Sequence, residues 1–235
     1  MRKYRKENMN NKAFIFDMDG VIIDSEPIHA RAKMATLREY GITLSAQEID
    51  LDKYVGRSSK SFWGDMKARF PDVFTEEWQV MAGKKHEKYM DIFNNDATIK
   101  AIPGLPELLQ RLKAKGYKIG LGSSSIRPMV NNVLTRFGII EYFDALTTGD
   151  EVEHAKPDPA IYLLAAKRLG VNPADCTVVE DAASGVKAAK AAGMQCIAVR
   201  NPNSGQQDLS LADRIINKYE EIYIHGGNGL SIGSL

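Results

Sequence analysis

Short apolar runs that stop on polar or acidic turns recur along this chain, and they alternate with helix-spaced apolar residues. Lys12-Ala-Phe-Ile-Phe-Asp17 is the first run; Lys118-Ile-Gly-Leu-Gly-Ser123, Thr177-Val-Val-Glu-Asp181 and Cys196-Ile-Ala-Val-Arg200 follow the same plan. Runs this short, apolar on both faces and bounded by turns, read as buried strands. Ala145–Gly149 and Arg214–Lys218 are weaker candidates of the same kind. Between them, Leu105, Leu108, Leu109 and Leu112 recur at helix spacing ahead of Gly116, and Val130, Val133, Leu134 and Phe137 ahead of Gly138. Pro159–Leu169 and Ser184–Ala192 run up to Gly170 and Gly193, the residue type that ends helices. Strands alternating with helices predict an α/β fold, a Rossmann-like parallel sheet covered on both faces.

One stretch breaks the alternation. From Pro27 to Asn94 there is no convincing strand, only helical segments near Ile28–Tyr40, Ser45–Tyr54, Ser59–Phe70 and Glu76–Phe93. Ser45 with Glu48 three residues on has the form of a capping box. The expected organisation is a discontinuous α/β core over residues 12–26 and 95–225, a small helical-bundle cap over 27–94, and flexible tails at 1–11 and 226–235. Ligands in open parallel sheets bind beyond the carboxyl ends of the strands, where this insertion starts, so it is placed to act as a lid.

Composition excludes several functions. The 235 residues hold 31 Lys+Arg and 30 Asp+Glu, a formal charge of +1, so no charge excess points to nucleic acid or an anionic membrane surface. No apolar run reaches the ~18 residues a membrane span needs. The two cysteines, Cys176 and Cys196, are too few for a disulfide scaffold, which makes a reducing cytoplasm the expected location.

The strand ends carry the chemistry: Asp17-Met-Asp19-Gly20, then Gly122-Ser123-Ser124, then Glu180-Asp181, with Lys156 before Pro157-Asp-Pro159. A parallel sheet brings these together at one edge. Crowded carboxylates repel one another strongly unless a cation compensates them. A hard divalent ion with oxygen ligands does this, and Mg²⁺ commonly uses one or two carboxylates plus substrate phosphate. An aspartate beside Mg²⁺ and a lysine is a competent nucleophile towards phosphorus. A second carboxylate two residues on can serve the leaving group and then water. Ser123 and turn N–H groups suit phosphate oxygens, and Lys156 suits the charge on nucleophile and phosphoryl group alike.

Asp17-Met-Asp-Gly-Val-Ile-Ile-Asp-Ser-Glu-Pro27, Gly122-Ser-Ser124, Lys156-Pro-Asp-Pro159 and Val179-Glu-Asp-Ala-Ala-Ser-Gly-Val-Lys-Ala-Ala189 resemble the four motifs of the haloacid dehalogenase-like hydrolase superfamily. More narrowly they resemble its β-phosphoglucomutase and sugar-phosphatase group, over about Lys12 to Glu221. The resemblance implies Asp17 as nucleophile and Asp19 as general acid/base. It implies Mg²⁺ held by Asp17, Asp19 (through its carbonyl) and Asp181, with Glu180 nearby. It further implies Ser123 and Lys156 on the transferring phosphoryl group, Ser124 beside it, and a small phosphorylated metabolite as partner. Dehalogenases lack the second aspartate of the first motif.

Within that group, mutases use a cap His and Lys, whose positions His29 and Lys85 match. They also place an Arg a few residues after a cap Gly, whereas here Arg57 follows Gly56 directly and Ser59 stands at the mutase Arg position. Arg127 stands where those mutases have an Asn, and Asp24-Ser-Glu-Pro27 is commoner among phosphatases. The expected activity is therefore a Mg²⁺-dependent phosphatase acting on a small monoester, a sugar phosphate, through an aspartyl phosphate. β-Phosphoglucomutase is the enzymatic alternative, with His29, Arg57 and Lys85 as substrate-binding residues in either case. A non-catalytic phospho-aspartate switch is more distant, since a receiver needs neither Asp19 nor the helical insertion. Trp63, Phe70 and Trp78 are expected in the bundle core.

Overall fold

The computed structural model describes residues 12–55, 57–224 and 230–232. The expected tail at 1–11 lies outside the described residues, as does Gly56.

The chain runs β1 (Ala13–Phe16), then α1 (Glu26–Glu39), α2 (Ala46–Ile49), α3 (Ser59–Arg69) and α4 (Trp78–Asn95). It continues through α5 (Leu105–Ala114), β2 (Lys118–Gly122), α6 (Arg127–Arg136), β3 (Ala145–Thr147), α7 (Ala160–Leu169) and β4 (Cys176–Glu180). α8 (Ala183–Ala191), β5 (Gln195–Val199), β6 (Arg214–Ile216), β7 (Ile222–Ile224) and β8 (Leu230–Ile232) complete it. The first six strands form one sheet in the order β3-β2-β1-β4-β5-β6, every neighbouring pair parallel. All four residues of β1 and all five of β4 are buried, as central strands of a doubly covered sheet must be. Ala13, Ile15, Cys176, Val178, Cys196 and Ala198 share one core with α7 and α8. Alternate residues point to the opposite face, where the rings of Phe14 and Phe16 meet Tyr117 and Phe143 edge-on. α5 packs against β2.

Leu230–Ile232, within the stretch read as tail, pair antiparallel with β7 instead. The Gly-rich stretch just before it, Gly226-Gly-Asn-Gly229, carries no strand signal. No helix among the described residues is long and apolar enough to cross a membrane.

The chain divides into two compact units, one made of the residues up to Ile23, Ala101–Pro202 and the residues from Gln206, the other of Asp24–Lys100 with Asn203–Gly205. The second unit is a helical bundle around Leu37, Phe62, Trp63, Met66, Phe74 and Met81, with Phe70 and Trp78 packed against it. Of the aromatics expected in the bundle core, Trp63 is buried there, and Phe70 and Trp78 are half-buried at its edge. The capping box forms: Ser45 Oγ accepts from the Glu48 N–H at 3.2 Å, and Glu48 Oε2 accepts from the Ser45 N–H at 2.8 Å. The single helix expected over Ser45–Tyr54 is split, because Asp50 adopts a left-handed conformation (φ 58°) and a 3₁₀ turn, Leu51–Tyr54, follows. Asn203–Gly205 joins this unit through a bond from Asn203 Nδ2 to Asp24 Oδ2 of 2.6 Å.

One polar atom in the sheet is conspicuous. Thr177, fully buried on β4 between Phe14 and Gln195, has no hydrogen-bond partner for its hydroxyl. Burying an unbonded hydroxyl costs about 1–3 kcal/mol, and Val has the same outline with a better fit to a strand. Thr177→Val should therefore raise the melting temperature by roughly 2–4 °C, about 1 kcal/mol in a chain of this size. A lower melting temperature by calorimetry would show that the hydroxyl is satisfied.

Candidate functional site

The site sits at the carboxyl ends of β1, β2 and β4. Asp17 follows β1 directly, and its N–H donates to the Val179 carbonyl at 3.0 Å, which extends the ladder to β4. The chain then turns sharply. The Met18 carbonyl accepts from the N–H groups of Val21, Ile22 and Ile23, while Gly20, at φ 74°, donates to the Ile23 carbonyl at 2.8 Å. A Cβ at Gly20 would lie 1.8 Å from Asp181 Oδ2, so this position admits no side chain while Asp181 keeps its place. Tyr219 ties the turn from outside, its hydroxyl donating to the Val21 carbonyl at 2.6 Å.

Lys156 holds two carboxylates at once. Its Nζ lies 2.8 Å from Asp17 Oδ1 and 2.8 Å from Glu180 Oε1, with only 7% of its side chain exposed. Tyr162 donates to the same Glu180 oxygen at 2.8 Å, and Lys156 also lies over the Tyr162 ring. The other oxygen of Glu180 accepts from the N–H groups of Asp181 and Ala182 at 2.8 and 2.9 Å. A carboxylate has about four acceptor positions, and these four donors fill them. Glu180 is an anchor that fixes Lys156, Tyr162 and the turn into α8. Gly185 makes room for it, since a Cβ there would lie 1.6 Å from Glu180 Oε1.

The electrostatics follow from burial. Asp17 has its pKa raised to about 7, mainly by burial, with Glu180 and Asp19 adding and Lys156 opposing. Burial works against the charge on Lys156, yet Asp17 and Glu180 outweigh it and raise its pKa. Burial and the two carboxylates push the Tyr162 phenol well up, so it remains a donor.

Oxygen atoms of Asp17, Glu180 and Asp181 lie within 4.8 Å of one another, a group able to hold a metal ion. All donors are carboxylate oxygens around a single lysine, which suits a hard divalent cation such as Mg²⁺. The Asp19 carboxylate is not in this group. Its Oδ2 accepts from the Ser125 hydroxyl at 3.0 Å instead.

Ser123, fully buried after β2, donates its N–H to the Thr147 carbonyl at 3.0 Å, and its Oγ accepts from the Ser125 N–H at 3.1 Å. Ser124, next to it, is exposed. Arg127 is directed elsewhere, to the Leu146 carbonyl at 2.9 Å and Glu151 at 2.6 Å.

In the helical unit, His29 of α1 and Lys85 of α4 are brought together, Nδ1 to Nζ at 2.6 Å. The His29 ring lies 4.6 Å from that of Tyr89. Burial and the neighbouring Lys85, Lys33 and His86 hold the His29 pKa well below its usual value. A neutral His29 therefore accepts from Lys85 at Nδ1 and carries its proton on Nε2. Arg57 is exposed.

Sequence reasoning did not find Tyr162, Ser125 or Gly185. Ser125 could have been suspected from the Ser123-Ser-Ser125 run, whereas Tyr162 reads as one more apolar residue of α7.

Residues 14–199 match the family model described as haloacid dehalogenase-like hydrolase. The chain is 33% identical over 221 residues to hexitol phosphatase B of Escherichia coli K12, covering 89% of this chain and 93% of that protein. It is 36% identical over 195 residues to the protein SUPPRESSOR OF QUENCHING 1, chloroplastic, of Arabidopsis thaliana; that match takes in 80% of this chain and only 18% of the plant protein. Among solved structures, a putative beta-phosphoglucomutase from Thermotoga maritima superposes with a TM-score of 0.75 at 30% identity, over 89% of this chain and 95% of that one.

Proposed function

The chain belongs to the haloacid dehalogenase-like hydrolase family, and we propose that within it the protein is a Mg²⁺-dependent phosphatase that hydrolyses a small sugar phosphate through an aspartyl phosphate. The observation that carries this reading is the pairing of Asp17 with the buried Lys156 while Asp19, two residues on, is held separately by Ser125. Two carboxylates in two environments suit two roles.

In the first step Asp17 Oδ attacks phosphorus and the bond to the alcohol oxygen breaks, with the Asp19 carboxyl giving its proton to the departing alkoxide. In the second step Asp19, now a carboxylate, takes a proton from water as its oxygen attacks the same phosphorus. The Asp17–phosphorus bond then breaks, which frees inorganic phosphate and returns both aspartates to their starting forms. Ser123, which accepts one bond at Oγ, keeps a hydroxyl proton for a phosphate oxygen. Lys156 balances the charge of the transferring group at its Asp17 edge.

Asp17 and Asp181, with the Asp19 carbonyl, are the residues that would hold Mg²⁺; Glu180 has its acceptor positions filled. When bound, the ion neutralises phosphate charge and the crowded carboxylates. The buried free thiols of Cys176 and Cys196 support a reducing location such as the cytoplasm. The name of hexitol phosphatase B supports a sugar phosphate as substrate, and Arg127, committed to Glu151, supports hydrolysis over mutase chemistry.

The test is phosphate release over a panel of hexose, pentose and hexitol phosphates, with parallel assay of β-glucose 1-phosphate to 6-phosphate conversion. Hydrolysis that stops in EDTA and returns on adding Mg²⁺ is expected. Isomerisation dependent on a bisphosphate, without net phosphate release, would overturn the phosphatase reading.

A further inference from the structure

The loop that carries Ser125 is held from behind by the segment that follows β3. The Gly149 N–H donates to the Ser125 carbonyl at 3.0 Å. A Cβ at Gly149 would lie 2.1 Å from the Ser124 carbonyl oxygen, so the two backbones touch with no room for a side chain. Beside it, Asp150 Oδ1 accepts from the Arg127 N–H at 3.2 Å.

Glu151 then fastens the arrangement. Its Oε2 accepts from the Thr148 N–H and hydroxyl, both at 2.9 Å, and from Arg127 Nη2 at 2.6 Å. Arg168 of α7 grips both carboxylate oxygens at 2.9 Å. Both guanidinium groups also reach the Leu146 carbonyl of β3, at 2.9 and 2.8 Å. The two-nitrogen grip of Arg168, with the single bond from Arg127 beside it, makes a stiff joint. Thr148–Glu151, Arg127 and Arg168 lie outside the four motifs.

We propose that Thr148–Glu151 is a positioning element for Asp19. Gly149 and Glu151 fix the Ser123–Arg127 loop, and the loop, through the Ser125 hydroxyl on Asp19 Oδ2, sets the carboxyl that protonates the leaving group. This rests on the role given to Asp19 above. Proton transfer needs the acid within hydrogen-bond reach of the departing oxygen, and displacements near 1 Å cost rate steeply. Gly149→Ala must move the Ser124 carbonyl from 2.1 Å to beyond 3.0 Å from the new Cβ, and Ser125 moves with it.

A general acid matters only when the leaving group needs a proton, and this separates positioning from mere structural support. An alkyl phosphate needs one; p-nitrophenyl phosphate, whose phenolate departs unaided, does not. The experiment measures kcat/KM of wild type, Gly149→Ala, Glu151→Gln and Asp19→Asn on p-nitrophenyl phosphate and on the best alkyl ester of the sugar-phosphate panel. For Gly149→Ala, kcat/KM on the alkyl ester should fall about 10- to 100-fold while that on p-nitrophenyl phosphate stays within about threefold. Glu151→Gln should show the same split with a smaller amplitude, and it decides the matter if Gly149→Ala does not fold. Asp19→Asn sets the largest split.

Equal losses on both esters, or no loss on either, overturn the positioning role and leave the phosphatase reading intact. A wild type inactive on every ester overturns that reading and the positioning role with it.

Discussion

Asp17→Asn should reduce phosphate release by about 10⁴- to 10⁶-fold in kcat, the range seen when a covalent nucleophile is removed. An amide has no anionic oxygen with which to attack phosphorus, so neither step of the cycle starts. The fold should survive. The Asn side chain has nearly the same outline, and its amide oxygen can still accept from Lys156, which sits 2.8 Å from Asp17 Oδ1. The substitution also removes a charge that burial disfavours, the same burial that raises the pKa of Asp17. Circular dichroism and a melting curve on the same preparation separate loss of chemistry from loss of structure. A folded Asp17→Asn protein that kept wild-type turnover would remove the aspartyl-phosphate mechanism altogether.

Much of the sheet domain was legible because its signals are local. β1, β2, β4 and β5 are apolar runs that end on turns, and the Gly residues after α5, α6 and α7 mark where those helices stop. A parallel sheet then brings its strand ends to one edge, so Asp17, Ser123, Lys156 and Asp181 could be grouped before any coordinates. The helical unit was legible in the same way, as helical periodicity without strands. His29 and Lys85, 56 positions apart, were named from resemblance, and their 2.6 Å contact follows from packing between α1 and α4.

What escaped the sequence is tertiary. Ser125 meets Asp19 across 106 positions, and Asn203 reaches Asp24 across 179. No periodicity or motif encodes such meetings. Tyr162 is a further case: its spacing on α7 is that of a core residue and it is one, but its hydroxyl completes the set of donors on Glu180. Glu180 was placed near the metal by resemblance, and its oxygen lies in the carboxylate group with Asp17 and Asp181. Its role as an anchor is visible only when every donor around it is counted. Gly185 likewise shows its purpose only from the volume that Glu180 occupies.

Lys156→Met should damage both stability and activity, because Lys156 is the one cation bonded to Asp17 and Glu180 among the described residues. Removing one partner of a buried ion pair leaves the others uncompensated and costs about 3–5 kcal/mol. In a chain of this size that is a fall on the order of 10 °C in melting temperature. Glu180 would keep Tyr162 and the two N–H groups of the turn, so the site should loosen rather than collapse. The rate should fall further than stability explains, by about 10³-fold in kcat, since an electrostatic partner of the transferring group is gone. Lys156→Arg is the informative companion. Arginine keeps the charge and so should recover part of the melting temperature. Its planar fork cannot place one nitrogen between Asp17 Oδ1 and Glu180 Oε1 as the ammonium does, so kcat should stay low. Melting curves and kcat measured together decide the outcome. A Met variant that melts lower yet turns over at the wild-type rate would reduce Lys156 to a structural counter-ion. One that matches wild type in both would mean that Asp17 and Glu180 are not held as a charged triad with Lys156.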